Sequence, residues 1–243
     1  MAVIPVNNMH NFLCALPEEI QAEFDRVSTF SDAQPGETLV RAGDFYHHLY
    51  QLCKGSVRCS SCDHQGRETI AAFMKDGDWI GLSETFSSLP SAVDVVVLSP
   101  LRLRAVKHRD FMALLDRYPA ISRHLLRQFS LRFSAMFRSD IDNKGLTMKE
   151  RLLKTLYLLS VSHGRYSGDE LPVHIDISQE ELSKLVGAPR QNMNRILKDL
   201  EREGLLHIGY GTIRLRGTED IAERYGYLVN VAQPVPAYLT GRA

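Results

Sequence analysis

Hydrophobic residues change their spacing along this chain, and each change predicts a different kind of element. Between Pro35 and about Ser99 they fall in short runs, ETLVRA, HLYQLC, SVRC, ETIAAFM and AVDVVVL, separated by Gly36, Gly43, Gly55, Gly66, Gly77 and Gly81. Short runs with turn residues at regular intervals predict antiparallel strands closed into a roll or barrel. From His108 the spacing becomes three and four, the period of one helix face. HRDFMALLDRY predicts a helix over 108–118, and a longer one begins at Pro119 and runs to about Asp142. Asp142-Asn143-Lys144-Gly145 then breaks the pattern and predicts a hinge. MKERLLKTLYLLSVS over 148–162 predicts an amphipathic helix, HGRYSGDE a polar loop and LPVHIDIS a short alternating strand. Pro234, Pro236 and Gly241 predict a loose tail from about Gln233.

The pattern is sharpest over Ile177–Leu206. Ser178 precedes an apolar-periodic run and Glu181 follows three residues later, the spacing of a capping box. Leu182, Leu185 and Val186 give that helix its buried stripe, and Gly187 stops it. Pro189 suits the first turn of a second helix, in which Met193, Ile196, Leu197 and Leu200 face inward. Arg190, Gln191, Asn192, Asn194, Arg195 and Lys198 are left facing out, with no acidic residue from Arg190 to Lys198. Arginine, glutamine and asparagine can make paired hydrogen bonds to purine edges in a major groove. HIGYGTIRL, over 207–215, predicts a β-hairpin turning at Gly209–Gly211. The whole predicts a winged helix-turn-helix whose second helix reads DNA. Ser178 and Gln179 at the first helix start, and Gly211 and Thr212 at the hairpin tip, complete the candidate DNA-binding set.

The 243 residues allow one large or two ordinary domains. No apolar stretch is long enough for a membrane span, and no basic leader precedes an apolar core, so a cytoplasmic protein with no membrane partner is expected. A formal charge of +0 means that any nucleic-acid surface is a local patch. Cys59 and Cys62 form a C-x-x-C, but residues three apart on a strand point to opposite faces unless a bulge intervenes, so buried or incidental thiols are expected and no metal site. There is no G-x-S-x-G, P-loop, H-E-x-x-H or dinucleotide glycine motif. Asp169-Glu170 falls in a loop, and Glu180-Glu181 opens a helix, where acids favour the dipole. An enzyme is not expected.

Four segments, PGETLVRAGD, LYQLCKGSV, KDGDWIG and ISQEELSKLVGAPRQNMNRILKDLE, together resemble the cyclic-AMP receptor protein and fumarate–nitrate reductase regulator (Crp/Fnr) superfamily of bacterial transcription factors, over roughly residues 10 to 220. The resemblance implies an α+β chain: a sensing β-roll over 1–118, a dimerisation helix over 119–143, a winged helix-turn-helix over 144–232 and the tail over 233–243. It implies a homodimer on an inverted-repeat operator, with RNA polymerase as a further partner of an activator. In that light the stripe Ile121, Leu125, Phe129, Phe133, Met136 and Phe137 on the long helix reads as the dimer seam. The family's two recognition-helix arginines correspond to Arg190 and Arg195, and its acidic residue between them is Gln191 here, which suits adenine better than cytosine.

The sensing half departs from the pattern. The positions corresponding to the nucleotide pocket are Gly81, Leu82, Ser83, Ala92, Val93, Met136 and Phe137. Leu82 stands where the family has a ribose-binding glutamate, Ala92 and Val93 where it has the arginine and hydroxyl that hold a cyclic phosphate, and Met136 and Phe137 where an adenine would be bonded. Using Ser83 and Glu84 instead needs a slip of one or two residues. A buried phosphate without a cation costs several kcal/mol, so cyclic AMP is not the expected effector. With only Cys14 in the N-terminal arm, the iron–sulfur chemistry of one branch is unsupported, whereas His47, His48, His108 and the cysteines could ligate a haem iron. The expected effector is an unidentified small molecule, or none.

Overall fold

The computed structural model describes residues 11–166 and 173–216; the expected tail, and residues 167–172 of the polar loop and following strand, lie outside them. The chain divides into two compact units, one ending at Arg132 and the other running from Phe133.

The first unit is an antiparallel roll with helices at both chain ends. Helix α1 (Glu18–Val27) leads into β1 (Ser28–Ala33), β2 (Thr38–Val40), β3 (His48–Lys54), β4 (Ser56–Cys62), β5 (Glu68–Lys75) and β6 (Trp79–Ile80). A short helix α2 (Leu82–Ser87) precedes β7 (Asp94–Val97) and β8 (Leu101–Lys107), followed by α3 (His108–Arg117) and the long α4 (Pro119–Gly145). Two four-stranded sheets result, in the orders β1-β8-β3-β6 and β2-β7-β4-β5. Glycine runs and alternation marked β2, β3, β4, β5 and β7; β1, β6, β8, α1 and α2 carried no such signal.

Two apolar cores fill this unit. Between the sheets, Leu52, Val57, Met74, Ile80, Val95, Val97 and Leu103 pack with the buried Cys59. Outside them, Phe12, Phe24, Trp79, Phe111, Ile121 and Leu125 bind α1, the Trp79 strand, α3 and the start of α4 together. A bulge does interrupt β4, shifting its register against β5 between Cys59 and Ser60. The two thiols still part: Cys59 is buried, Cys62 is exposed, and all four cysteines are free.

In the second unit α4 continues from Phe133 into α5 (Met148–His163), β9 (Arg165–Tyr166), β10 (Val173–Ile175), α6 (Gln179–Val186), α7 (Arg190–Arg202), β11 (Leu206–Ile208) and β12 (Ile213–Leu215). The strands form one antiparallel sheet, β11-β12-β10-β9. Leu152, Leu153 and Leu156 of α5 are buried, as are Leu182, Met193, Leu197, Leu200, Ile213 and Leu215.

Three expectations are corrected. Asp142–Gly145 is not a hinge but the last turn of α4, where Lys144 pairs with Asp140 at 2.8 Å, one helical turn back. The break falls at Leu146, and α5 restarts on a capping box: Thr147 Oγ1 accepts from the Glu150 N–H, and the Glu150 carboxylate accepts from the Thr147 N–H at 2.7 Å. The polar loop after α5 contains a strand, because Arg165 and Tyr166 pair with His174 and Val173. The α4 stripe is not one surface: Ile121 and Leu125 are core of the first unit and Phe129 packs against that core, while Phe133, Met136 and Phe137 are exposed.

Candidate nucleic-acid interface and effector site

Helices α6 and α7 are joined by Gly187, Ala188 and Pro189. Ser178 and Glu181 form the expected capping box: Ser178 Oγ accepts from the Glu181 N–H at 3.1 Å, and Glu181 Oε2 accepts from the Ser178 N–H at 2.9 Å. Gly187 ends α6 with φ of 70°, a left-handed conformation that glycine adopts without a Cβ penalty. Ala188 is buried and its N–H returns to the Ser183 carbonyl, which turns the chain sharply. Pro189 is the N-cap of α7 rather than its first helical residue, with φ −57° and ψ 135°.

Burial of Met193, Leu197 and Leu200 rotates α7 so that Arg190, Gln191, Asn192, Arg195 and Lys198 are exposed. Asn194 departs from its expected place: it is half-buried, and its Oδ1 is enclosed without a hydrogen-bond partner. Ile196 is half-buried rather than core. Of the α6 candidates, Ser178 is committed to its cap and Gln179 is half-exposed. Among the described residues, Arg190, Arg195 and Lys198 pair with no carboxylate, whereas Arg202, farther along α7, is engaged by Asp199 at 2.8 Å. The first turn of α7 has no acidic residue and no side-chain cap, so its N–H groups and positive dipole end add to the local field.

The hairpin β11–β12 turns through Gly209, Tyr210, Gly211 and Thr212, closed by the Gly209 N–H donating to the Thr212 carbonyl at 2.9 Å. Gly211 and Thr212 lie on this turn, and Tyr210, which the sequence reading passed over, is fully exposed at its tip. Glu201 of α7 ties helix to hairpin: it accepts from the Ile208 N–H at 2.9 Å and meets His207 Nδ1 at 3.0 Å.

In the roll, Gly81 has φ of 89°, and a Cβ there would come 2.6 Å from the Tyr46 ring. Leu82 is buried in the outer core beside Trp79, so the position expected to hold a ribose-binding acid carries a packing residue. Ser83 is exposed and donates to Glu84 at 2.8 Å. Ala92 is exposed and Val93 half-buried against the inner core. Met136 and Phe137 lie beyond Arg132, in the part of α4 that belongs to the second unit.

Helix α4 brings a cation, Arg132, to the charged groups of the roll. Arg132 is half-buried, and the desolvation of its guanidinium lowers its pKa, while Asp78, Cys59 and Glu84 act electrostatically to raise it. Arg132 stands seven residues after the buried Leu125, two turns along the same helix face, a signal that could have revealed it. Burial pushes the Cys59 thiol up to about 12. Burial likewise raises the Tyr46 phenol, although its hydroxyl lies 3.3 Å from Ser91 Oγ. Asp78 is fully buried; its Oδ2 accepts from the Lys75 N–H at 2.8 Å and its Oδ1 has no partner. Burial carries its pKa up to about 7, with Lys75 and Arg132 pulling the other way. His47, His48 and His108, offered above as iron ligands, line one cavity. Among the described residues no group of three His, Cys, Asp or Glu side chains could hold a metal ion.

An antiparallel roll, a long helix and a winged helix-turn-helix, in that order along the chain, are the architecture of a DNA-binding regulator. Residues 31–118 match the cyclic nucleotide-binding domain and residues 150–224 the Crp-like helix-turn-helix domain. The cAMP-activated global transcriptional regulator CRP of Pasteurella multocida is 30% identical over 183 residues, 74% of this chain and 87% of that protein. The CRP-like cAMP-activated global transcriptional regulator of Mycobacterium tuberculosis is 25% identical over 214 residues, 87% of this chain and 91% of that one. The c-di-GMP responsive global regulator CLP of Xanthomonas campestris shares the fold with a TM-score of 0.72 at 24% identity, covering 83% of this chain and 100% of that one. The chain belongs to the Crp/Fnr family of transcription regulators. No helix among the described residues is long and apolar enough to cross a membrane.

The Asp78 carboxyl has a measurable consequence. Titrating near 7 in the fold against an ordinary 3.8, it keeps a proton that the unfolded chain gives up. The roll therefore loses stability as pH rises from about 4 to about 7. Asp78→Asn keeps an acceptor for the Lys75 N–H and removes the charge, so it should flatten that slope in urea denaturation between about pH 5 and pH 8. Parallel pH profiles for the two proteins would contradict this.

Proposed function

We propose that this regulator acts as a cytoplasmic homodimer on an inverted-repeat operator, with DNA affinity set by an effector other than cyclic AMP, and that it has no catalytic role. The observation that carries the DNA reading is the acid-free face of α7, where Arg190, Arg195 and Lys198 are exposed and pair with no carboxylate among the described residues. Arg190, Gln191 and Arg195 contact base edges or nearby phosphates; Asn192, Asn194 and Lys198, the Ser178–Gln179 helix start and the Gly211–Thr212 wing tip complete the surface. Two such helices reach half-sites about one helical turn apart. RNA polymerase is the further partner if the protein activates.

Dimerisation is supported by α4. Phe133, Met136, Phe137 and Ile141 are all more than half exposed, and the Phe133 and Phe137 rings stack at 6.2 Å. A row of large apolar side chains in water marks a surface that a partner covers. The relatives named above as cAMP-activated raise cyclic AMP as an effector, but Leu82, Ala92 and Val93 leave the loop without the acid, cation and hydroxyl that would hold it. Arg132 offers a cation to a different anion, in company with the carboxyls of Asp78 and Glu84.

The decisive experiment is selection of binding sites from random duplexes followed by gel shift. An inverted repeat differing from the common family half-site opposite Gln191 is expected; no enriched palindrome, or recovery of the ordinary half-site, would refute the operator reading. Arg190→Ala should lose about 1–3 kcal/mol of site-specific binding, and Lys198→Ala should reduce the salt slope by about 1 with little change in sequence preference. Phe133→Asp with Phe137→Asp should shift the sedimentation coefficient from dimer to monomer; an unchanged coefficient would count against the seam. Calorimetry with cyclic AMP should show no micromolar binding, and such an isotherm would overturn the effector reading.

A further inference from the structure

A cavity of about 620 Å³ opens where the start of β3, helix α2 and the start of α3 meet. Its walls do not include Asp78, Cys59 or Arg132; Tyr46 and Glu84 stand between it and that charged interior. The size falls within the range of sites that hold small organic ligands.

Three features of the wall agree on one kind of ligand. The first is charge. Lys107 and Arg109 line the cavity, as do the imidazoles of His47, His48 and His108, against one carboxylate, Glu84, which already accepts from Ser83. Arg109 shares its charge with Asp110 at 3.2 Å, whereas Lys107 has no acidic partner among the described residues. Lys107 is also the N-cap of the ten-residue α3 and supplies no side-chain cap. The His108 N–H donates to the His47 carbonyl, which leaves the positive end of that helix beside the cavity.

The second feature is an unmet hydrogen-bonding group. Thr85 lines the cavity, is only 7% exposed, and its Oγ1 is buried with no partner. A buried hydroxyl left unpaired costs roughly 1–3 kcal/mol, which a ligand oxygen could recover. The third is the apolar part of the wall: Phe45 and Leu89, each 63% exposed, lie on the same cavity. Ser88 between α2 and Leu89 holds φ at 55°, the positive-φ position that is not glycine among the described residues.

We propose that this cavity is a ligand site for a small aromatic phosphate or carboxylate, its anionic head against Lys107 and the start of α3 and its ring against Phe45 and Leu89. Thr85 donates to the head group. A ligand so held bridges α2 to α3. The proposal does not depend on the DNA or dimer readings, because the site lies wholly within the roll.

The test is calorimetry on the full chain with phenyl phosphate, inorganic phosphate and benzyl alcohol as probes. Phenyl phosphate should bind at least about tenfold more tightly than either fragment-like probe, since it alone engages both the cations and the apolar wall. Lys107→Glu should weaken phenyl phosphate by about tenfold or more, and the nearly isosteric Thr85→Val by several-fold. Arg109→Glu serves as a second charge reversal should Lys107→Glu fail to fold. Asp78→Asn, at a residue that does not line the cavity, should leave the affinity unchanged. Absence of phenyl phosphate binding, or binding indifferent to both charge reversals and to Thr85→Val, would overturn the proposal.

Discussion

Three regions far apart in sequence are held by one cluster of four rings. Phe12 meets Trp79 at 5.0 Å between centroids, Trp79 meets Phe24 at 6.0 Å, and Phe24 meets Phe111 at 6.1 Å, mostly edge to face. Such pairs add about 0.5–1.5 kcal/mol each beyond the area they bury. Trp79 opens β6, so its burial also sets the position of Asp78 before it and of Gly81 and Leu82 after it. Ile121 and Leu125 join the same cluster, which places the first two turns of α4 and carries Arg132 along the same helix face. The charged interior of the roll is a consequence of that apolar packing.

Polar groups are handled in opposite ways in the two units. In the roll, Asp78 and Cys59 are withdrawn from water and Arg132 is half-withdrawn, so loss of solvent and the neighbouring groups shift their pKa values. On α7 the cations stand in water, and the neighbouring acids are occupied elsewhere: Asp199 by Arg202, Glu201 by His207 and the Ile208 N–H. A surface meant to meet phosphates gains from carrying no internal counter-charge.

The helix-turn-helix was legible residue by residue because its determinants are local. A cap, a left-handed glycine and a period of three to four each act within one or two turns, and the Ser178–Glu181 box and Gly187 sit where the spacing put them. Asn194 escaped the same logic. The edge of a helix face is decided by what packs against it, and its amide oxygen became enclosed. The break after α4 was misplaced by a few residues for a related reason: Asn143 and Gly145 are weak helix formers, but a continuing helix and the Lys144–Asp140 pair outweighed them.

Local sequence by itself determined the strand runs of the roll, the DNA-reading pair with its caps, and the basic face of α7, since all of these follow from neighbours within a few positions. Only the tertiary structure decided that Arg132 faces Asp78, Cys59 and Glu84, that Leu82 is core, and that Lys107, Thr85 and Phe45 share one cavity. Those juxtapositions bring together residues separated by tens of positions, and no periodicity records a contact that exists only once sheets and helices have packed.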